Sequence, residues 1–254
     1  MQHDFKNEVA IITGAGQGIG FGIAMALARQ GAKVLLNDEN KELGEKASKE
    51  IQNSGAVCYG YGGDVADPAV TKFLVNEAIK KFGKITIAIA NAGITLFGDF
   101  FSYTPAQFQR VMNVNMNGSF FLAQYAAAKM KEQNEKGTIL LMSSATAHQA
   151  HKHLAAYSMT KAAIEMLAKN LVIELSPYGI TINSIAPGAT LTERTLHDKK
   201  YKSTWERITP LGKVAEINDI VTAALFFVSP ASRHITGQSL VIDGGWTSVS
   251  PSPF

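Results

Sequence analysis

Short apolar runs rich in β-branched residues alternate with longer amphipathic stretches from one end of the chain to the other. The runs Val9 to Thr13, Lys33 to Asn37, Val57 to Tyr61, Ile85 to Ala90, Thr138 to Ser143, Thr181 to Ala186 and Ser239 to Ile242 predict strands. Several are apolar throughout rather than alternating, as strands covered on both faces must be. Helical spacing predicts helices over Gly18 to Gln30, Lys41 to Asn53, Pro68 to Phe82, Ala106 to Gln133, Ala156 to Ser176 and Ile217 to Val228. Regular strand and helix alternation implies an α/β fold with a parallel sheet and right-handed crossovers. No Pro/Gly/Ser linker, repeat or low-complexity tract divides the chain, so residues 1–254 are predicted to form a single domain. Ala189 to Val214 breaks the rhythm, with no strand and only broken helical signal. Loops this long inside compact domains are usually functional or disordered, and 189–214 is predicted to be a substrate lid.

Composition narrows the classes. A hydrophobic content of 46% is ample for a core, and a formal charge of +3 without a Lys/Arg block argues against nucleic acid or an anionic membrane as the main partner. No stretch approaches the ~18 to 20 apolar residues of a spanning helix. The opening residues lack the basic flank and long apolar region of a secretory leader. Cys58 is the only cysteine, which excludes an intramolecular disulfide and fits a reducing compartment, so a cytoplasmic location is expected. Its apolar neighbours mark it as a buried strand residue rather than a nucleophile.

The first strand runs into Thr13-Gly14-Ala15-Gly16-Gln17-Gly18-Ile19-Gly20 and then a helix. Strand, glycine turn and helix N-terminus form a recurrent anion site, because unpaired amides and the macrodipole favour a pyrophosphate. The literal G-x-G-x-x-G fingerprint fails, with Ile19 and Phe21 where its third glycine would fall; Gly14-x-x-x-Gly18-x-Gly20 stands instead. The second strand ends at Asp38, a carboxylate suited to both hydroxyls of an adenosine ribose and repulsive to a 2′-phosphate. Neither Gln17 nor Glu39 offers a cation to offset that repulsion, so NAD rather than NADP is expected. The third strand leads to Gly63-Asp64-Val65 and the fourth to Asn91-Ala92-Gly93, small or polar residues at the sheet edge where ligands bind.

Tyr157 and Lys161 stand at i and i+4 on one predicted helix face, with Ser144 thirteen residues before the tyrosine. An isolated tyrosine ionises near pH ~10, and a neighbouring cation favours its phenolate. Such a pair predicts a group able to take or give a hydroxyl proton. His148, His151 and His153 lack the i, i+4 spacing of a zinc helix and are read as polar pocket or loop residues, with no metal.

Thr13-Gly14-x-x-x-Gly18-x-Gly20, Asp64, Asn91-Ala92-Gly93, Asn115, Ser144, Tyr157-x-x-x-Lys161, Asn183, Pro187-Gly188 with Thr192, and Asp243-Gly244-Gly245 together resemble the short-chain dehydrogenase/reductase family over nearly the whole chain. The resemblance implies a single-domain Rossmann fold, a doubly wound seven-stranded parallel sheet with helices on both faces. It implies a homotetramer, or a homodimer, built partly through the two long middle helices, with the tail Trp246 to Phe254 available to cover a neighbouring subunit. It also implies that Ser144 polarises the substrate oxygen, that Tyr157 is the general acid/base, and that Lys161 lowers the tyrosine pKa and binds nicotinamide ribose. Asn115 would hold a water linking Lys161 to solvent. Gly14, Gln17, Gly18, Ile19, Gly20, Asp38, Asp64, Val65, Asn91, Ala92 and Gly93 would bind cofactor, together with Pro187, Gly188, Thr190 and Thr192 at its nicotinamide and pyrophosphate end.

The expected reaction is hydride exchange between NAD(H) and a secondary alcohol or ketone. A sugar or polyol is favoured, in the manner of glucose 1-dehydrogenase or gluconate 5-dehydrogenase, with Thr95, His151, His153 and Ala189 as candidate substrate contacts. The alternative is a 3-oxoacyl-[acyl-carrier-protein] reductase, against which stand Asp38 and the placing of Glu135 and Tyr178 where basic residues would meet an acidic carrier. A hydroxysteroid dehydrogenase and a non-catalytic dinucleotide sensor are weaker readings.

Overall fold

Strands buried on both faces need two layers of helix, and the computed structural model, which describes residues 4–249, provides them. The strands are β1 Val9–Ile12, β2 Lys33–Asp38, β3 Cys58–Gly62, β4 Ile87–Ala90, β5 Gly137–Met142, β6 Ile180–Pro187 and β7 Ser239–Ile242. They form one parallel sheet in the order β3-β2-β1-β4-β5-β6-β7. The helices are α1 Gly18–Arg29, α2 Lys41–Asn53, α3 Pro68–Phe82, α4 Pro105–Met112, α5 Gly118–Glu132, α6 Ala155–Leu175, α7 Tyr201–Ile208 and α8 Ile217–Val228. The expected single-domain, doubly wound Rossmann architecture is what the chain adopts.

Alternation along each strand builds the two cores. Ala10 and Ile12 face the layer of α1, α2 and α8, while Ile11 faces that of α3, α5 and α6. Register then aligns Leu35, Ile11, Ala88, Ile139 and Ile182 in one fully buried row across five strands. Each large side chain in such a row contributes about 1.5–3 kcal/mol of transfer free energy, and a polar residue there would forfeit it. The strand order reverses beside β1, which opens a crevice at the carboxyl ends of β1 and β4.

Local chemistry fixes the helix ends. The Asp67 side chain accepts from the Ala69 amide ahead of Pro68, and Gly83 closes α3 in the left-handed region at φ 82°. Thr104 and Gln107 form a capping box for α4. Cys58 is buried in β3, and burial pushes its thiol up to about 12, so it is a packing residue.

Two elements differ from the sequence expectation. The continuous helix expected over 106–133 is interrupted by a π turn at Asn113–Asn117. Asn115 is tied to the end of β4 by both backbone groups of Ile94, and Gly118 packs so closely on Val65 that a β-carbon would come within 2.8 Å of it. One extra residue per turn lets both contacts form. The second difference is α7, a helix inside the expected irregular lid, whose base is closed by a bridge between Thr190 and Ala215. None of its residues is buried, so only the spacing of Tyr201, Trp205 and Ile208 on one face marks it in the sequence. No helix among the described residues is long and apolar enough to cross a membrane.

Candidate functional site

Every residue assigned above to the cofactor lines one cavity of about 870 Å³, and so do Thr95, Ser144, His151 and Ala189. Asn115 and His153 do not. His153 was expected to meet substrate; it instead occupies a left-handed turn at φ 66°, where its carbonyl accepts from the Gly98 amide. His148 is engaged by Glu165 at 2.9 Å. Among the described residues no group of three or more His, Cys, Asp or Glu is placed to hold a metal ion.

The glycine turn folds as it does because side chains would not fit. Gly14 has φ 62°, and a β-carbon on it would stand 2.7 Å from the Ala92 α-carbon. A β-carbon on Gly20 would fall 2.4 Å from both the Asn91 Nδ2 and the Gly14 carbonyl. That amide nitrogen donates to the carbonyls of Thr13 and Gly14, so Asn91 braces the turn from β4. Across from it, the open side of Gly18 looks toward Thr192 and Glu193 at 3.6–3.8 Å. Backbone free of side chains at the start of α1 fits a dinucleotide pyrophosphate. The Asn37 Oδ1 on the same cavity is buried and lacks a partner, a further acceptor toward a bound group. Gly20→Ala is expected to destabilise the protein by about 1–3 kcal/mol through overpacking. Thermal melting with and without NAD(P) checks this, and a variant with both unchanged would refute the close packing.

At the other end of the cavity, Ser144 follows β5 and is 9% exposed. Its Oγ accepts from the Thr146 amide at 3.3 Å and from the Thr146 hydroxyl at 3.1 Å. With both acceptor positions engaged, its own proton is left to donate. Tyr157 and Lys161 share a face of α6, with Nζ 5.5 Å from the tyrosine ring centroid. Lys161 is 3% exposed and donates to the Met142 carbonyl at 2.8 Å. Burial lowers its pKa, the Tyr157 charge opposes that, and the nearby Arg194 adds to the lowering. Asn115 donates to Thr160 Oγ1, which in turn donates to the Tyr157 carbonyl at 2.6 Å. A polar chain thus pins the first turn of α6 to the end of β4.

Sequence reasoning missed Thr146, Arg194, Tyr201 and Trp246 on this cavity. It also missed Arg110, which pairs with Asp64 and, at 2.9 Å, with Glu39. Asp38 spends its oxygens on the amides of Gly16 and Asn40, each at 3.0 Å. The carboxylate at the end of β2 is therefore already engaged by backbone amides on either side of it.

A family model described as enoyl-(acyl carrier protein) reductase matches residues 14–247. An L-rhamnose 1-dehydrogenase (NADP(+)) of Thermoplasma acidophilum is 36% identical, covering 95% of this chain and 97% of the relative. An L-rhamnose 1-dehydrogenase (NAD(P)(+)) of Azotobacter vinelandii is 34% identical, covering 94% and 96%. Among solved structures, a gluconate 5-dehydrogenase from Burkholderia cenocepacia in complex with NADP and tartrate superposes with a TM-score of 0.91 at 31% identity, covering 98% of each chain. These cofactors overturn the expectation of NAD over NADP. Asp38 judged by its sequence neighbours alone does not decide the matter, since its oxygens are engaged by two backbone amides and the adjacent Glu39 is paired with Arg110.

Proposed function

The chain belongs to the short-chain dehydrogenase/reductase family of NAD(P)-dependent oxidoreductases acting on CH–OH groups, and we propose that its substrate is a sugar or polyol, oxidised as glucose 1-dehydrogenase oxidises an aldose. One observation carries the chemistry: Ser144, Tyr157 and the buried Lys161 line the same cavity as the glycine turn. The bound nicotinamide cofactor supplies the hydride acceptor or donor. Tyr157 accepts the hydroxyl proton, and Ser144 donates a hydrogen bond to the same oxygen, oriented by Thr146. The Lys161 ammonium stabilises the phenolate form of Tyr157 that takes this proton. Asn115 positions that turn of α6 and holds a water beside Lys161. Gly93 leaves room beside them: a β-carbon there would stand 3.2 Å from Lys161 Nζ and 3.3 Å from Asn115 Oδ1.

The sugar class is supported by the rhamnose and gluconate dehydrogenases among the relatives. An acyl carrier is disfavoured, since Glu135 and Tyr178 already engage Lys84 and Lys131. Assembly into a homotetramer or homodimer through α4 to α6 is supported by exposed Phe108, Phe120, Met166 and Ile173, and a monomer by sedimentation would exclude it. Of the tail invoked for subunit contact, residues 250–254 lie outside the described part.

The test is a panel of aldoses, aldonates, polyols, hydroxysteroids and 3-hydroxyacyl thioesters, assayed for NAD(P)H formation with each cofactor. Turnover is expected with an aldose or polyol. Turnover confined to a thioester or steroid would reject the substrate class.

A further inference from the structure

Five aromatic rings converge beside the catalytic face from four separate segments. Trp205 of α7 stacks on His151 at 6.1 Å and 24°, and meets Trp246 edge to face at 5.1 Å and 81°. Tyr201 lies one turn before it at 6.2 Å, and Phe97 stands edge-on to His151 at 5.9 Å. All five line the cavity that holds Ser144, Tyr157 and Lys161. No residue of α7 is buried, so the core does not require an aromatic there. Trp246, in contrast, sits on a braced turn. The Asp243 carboxylate accepts from the amides of Gly245 at 2.8 Å and Thr247 at 2.7 Å, the residues on either side of Trp246 in the chain.

We propose that Trp205 and Trp246, flanked by His151 and Phe97, form a platform on which the C–H face of a pyranose ring stacks during turnover. This rests on the sugar reading above and gives it a recognition site. A pyranose is amphipathic: one face of polarised C–H bonds, and a rim of hydroxyls. The negative face of an aromatic ring matches the first, and fixed polar groups must match the second. Both are present. Thr95, Thr146, Arg194 and Asp198 line the same cavity. The His151 Nδ1 lies 2.9 Å from the Lys152 carbonyl, which can only accept, so in the neutral ring Nε2 remains an acceptor. A fused polycyclic alcohol would gain from the rings but would leave those polar groups without partners.

The two tryptophans of the platform are the two in the chain, so tryptophan emission reports on this site. With the Tyr157→Phe variant saturated in oxidised cofactor, so that little product forms, titration of the best aldose from the panel is expected to change emission saturably, with a midpoint tracking the parent's KM. Trp205→Ala and Trp246→Ala are each expected to raise that KM about tenfold or more, with kcat falling less than KM rises and cofactor affinity retained. Trp205→Phe, which keeps a ring, is expected to recover most of the loss. Retained cofactor affinity verifies folding of each variant. Aldose turnover with KM unmoved in both alanine variants would overturn the platform while leaving the sugar reading intact. A polycyclic alcohol that outcompetes the aldose and loses its advantage in Trp205→Ala would also overturn it. Absence of turnover on any sugar or polyol would sink both readings together.

Discussion

Tyr157→Phe is expected to lower turnover on the active alcohol by about 10²- to 10⁴-fold, the range for a positioned general acid/base, while the protein still binds NAD(P)(H). The substitution removes one oxygen from a ring whose place is set by other groups. Backbone at Tyr157 is fixed through Thr160 and Asn115, and neither contact involves the phenol. Stability and cofactor affinity should therefore stay near the parent values, and the effect should fall on kcat. Reduced-nicotinamide fluorescence and steady-state kinetics on one preparation separate the two. A variant with near-parental kcat would remove Tyr157 from proton transfer. Loss of cofactor binding in parallel would instead make the hydroxyl a binding group.

Lys161→Met is expected to abolish most activity and yet leave the fold as stable as the parent or more so. The ammonium is buried, and the hydrogen bond it makes goes to one carbonyl, so desolvation is incompletely offset. Replacing such a charge by an apolar chain of similar length is typically neutral to stabilising by about 1–4 kcal/mol. Because burial lowers the native pKa of Lys161, the unfolded chain binds its proton more tightly than the native one. Stability of the cofactor-free parent thus rises with pH between that lowered value and the ordinary 10.5, and the methionine variant lacks this slope. Melting curves across alkaline pH test it. A strongly destabilised methionine variant would mean that the lysine is structural. Retention of a residue that costs stability is intelligible if function requires the cation.

How much of this was legible in the sequence follows from the range of each interaction. The strands were readable because apolar runs such as Val9–Ile12 are local signals of two-sided burial, and the parallel seven-stranded sheet followed from alternation and resemblance, while its strand order is set by pairings the sequence does not show. Gly14, Gly20, Ser144, Tyr157 and Lys161 were readable because their spacing is itself the geometry. Arg110 was not, since it lies 46 residues from Asp64 and 71 from Glu39, and only the packing of α4 joins them. The cofactor expectation weighed only Asp38 and its sequence neighbours, and the NADP-linked relatives overturn it. Thr146 passed as a spacer because its two hydrogen bonds to Ser144 arise from a 3₁₀ turn that local pattern does not mark. Likewise α7 buries nothing, so it lacks the apolar density from which helices are read. His153 was read as a polar substrate contact, but it lies outside the cavity lining, in a left-handed turn at φ 66° that a short sequence pattern does not mark.

The π turn at Asn113–Asn117 carries a consequence for comparing and shortening sequences of this kind. In register terms it is a single inserted residue, and each residue of an α-helix advances the side-chain direction by about 100°. An aligner or designer who deletes one position between Asn113 and Asn117 obtains a more regular helix of better hydrogen-bond geometry. Removing Met116 or Asn117 turns Asn115 relative to Gly118, so the bond to Ile94 and the packing on Val65 no longer share one register. A gap placed in that pentapeptide is therefore not a neutral trimming, because the segment is buried at Val114 and Asn115 and holds the two contacts that join it to Ile94 and Val65.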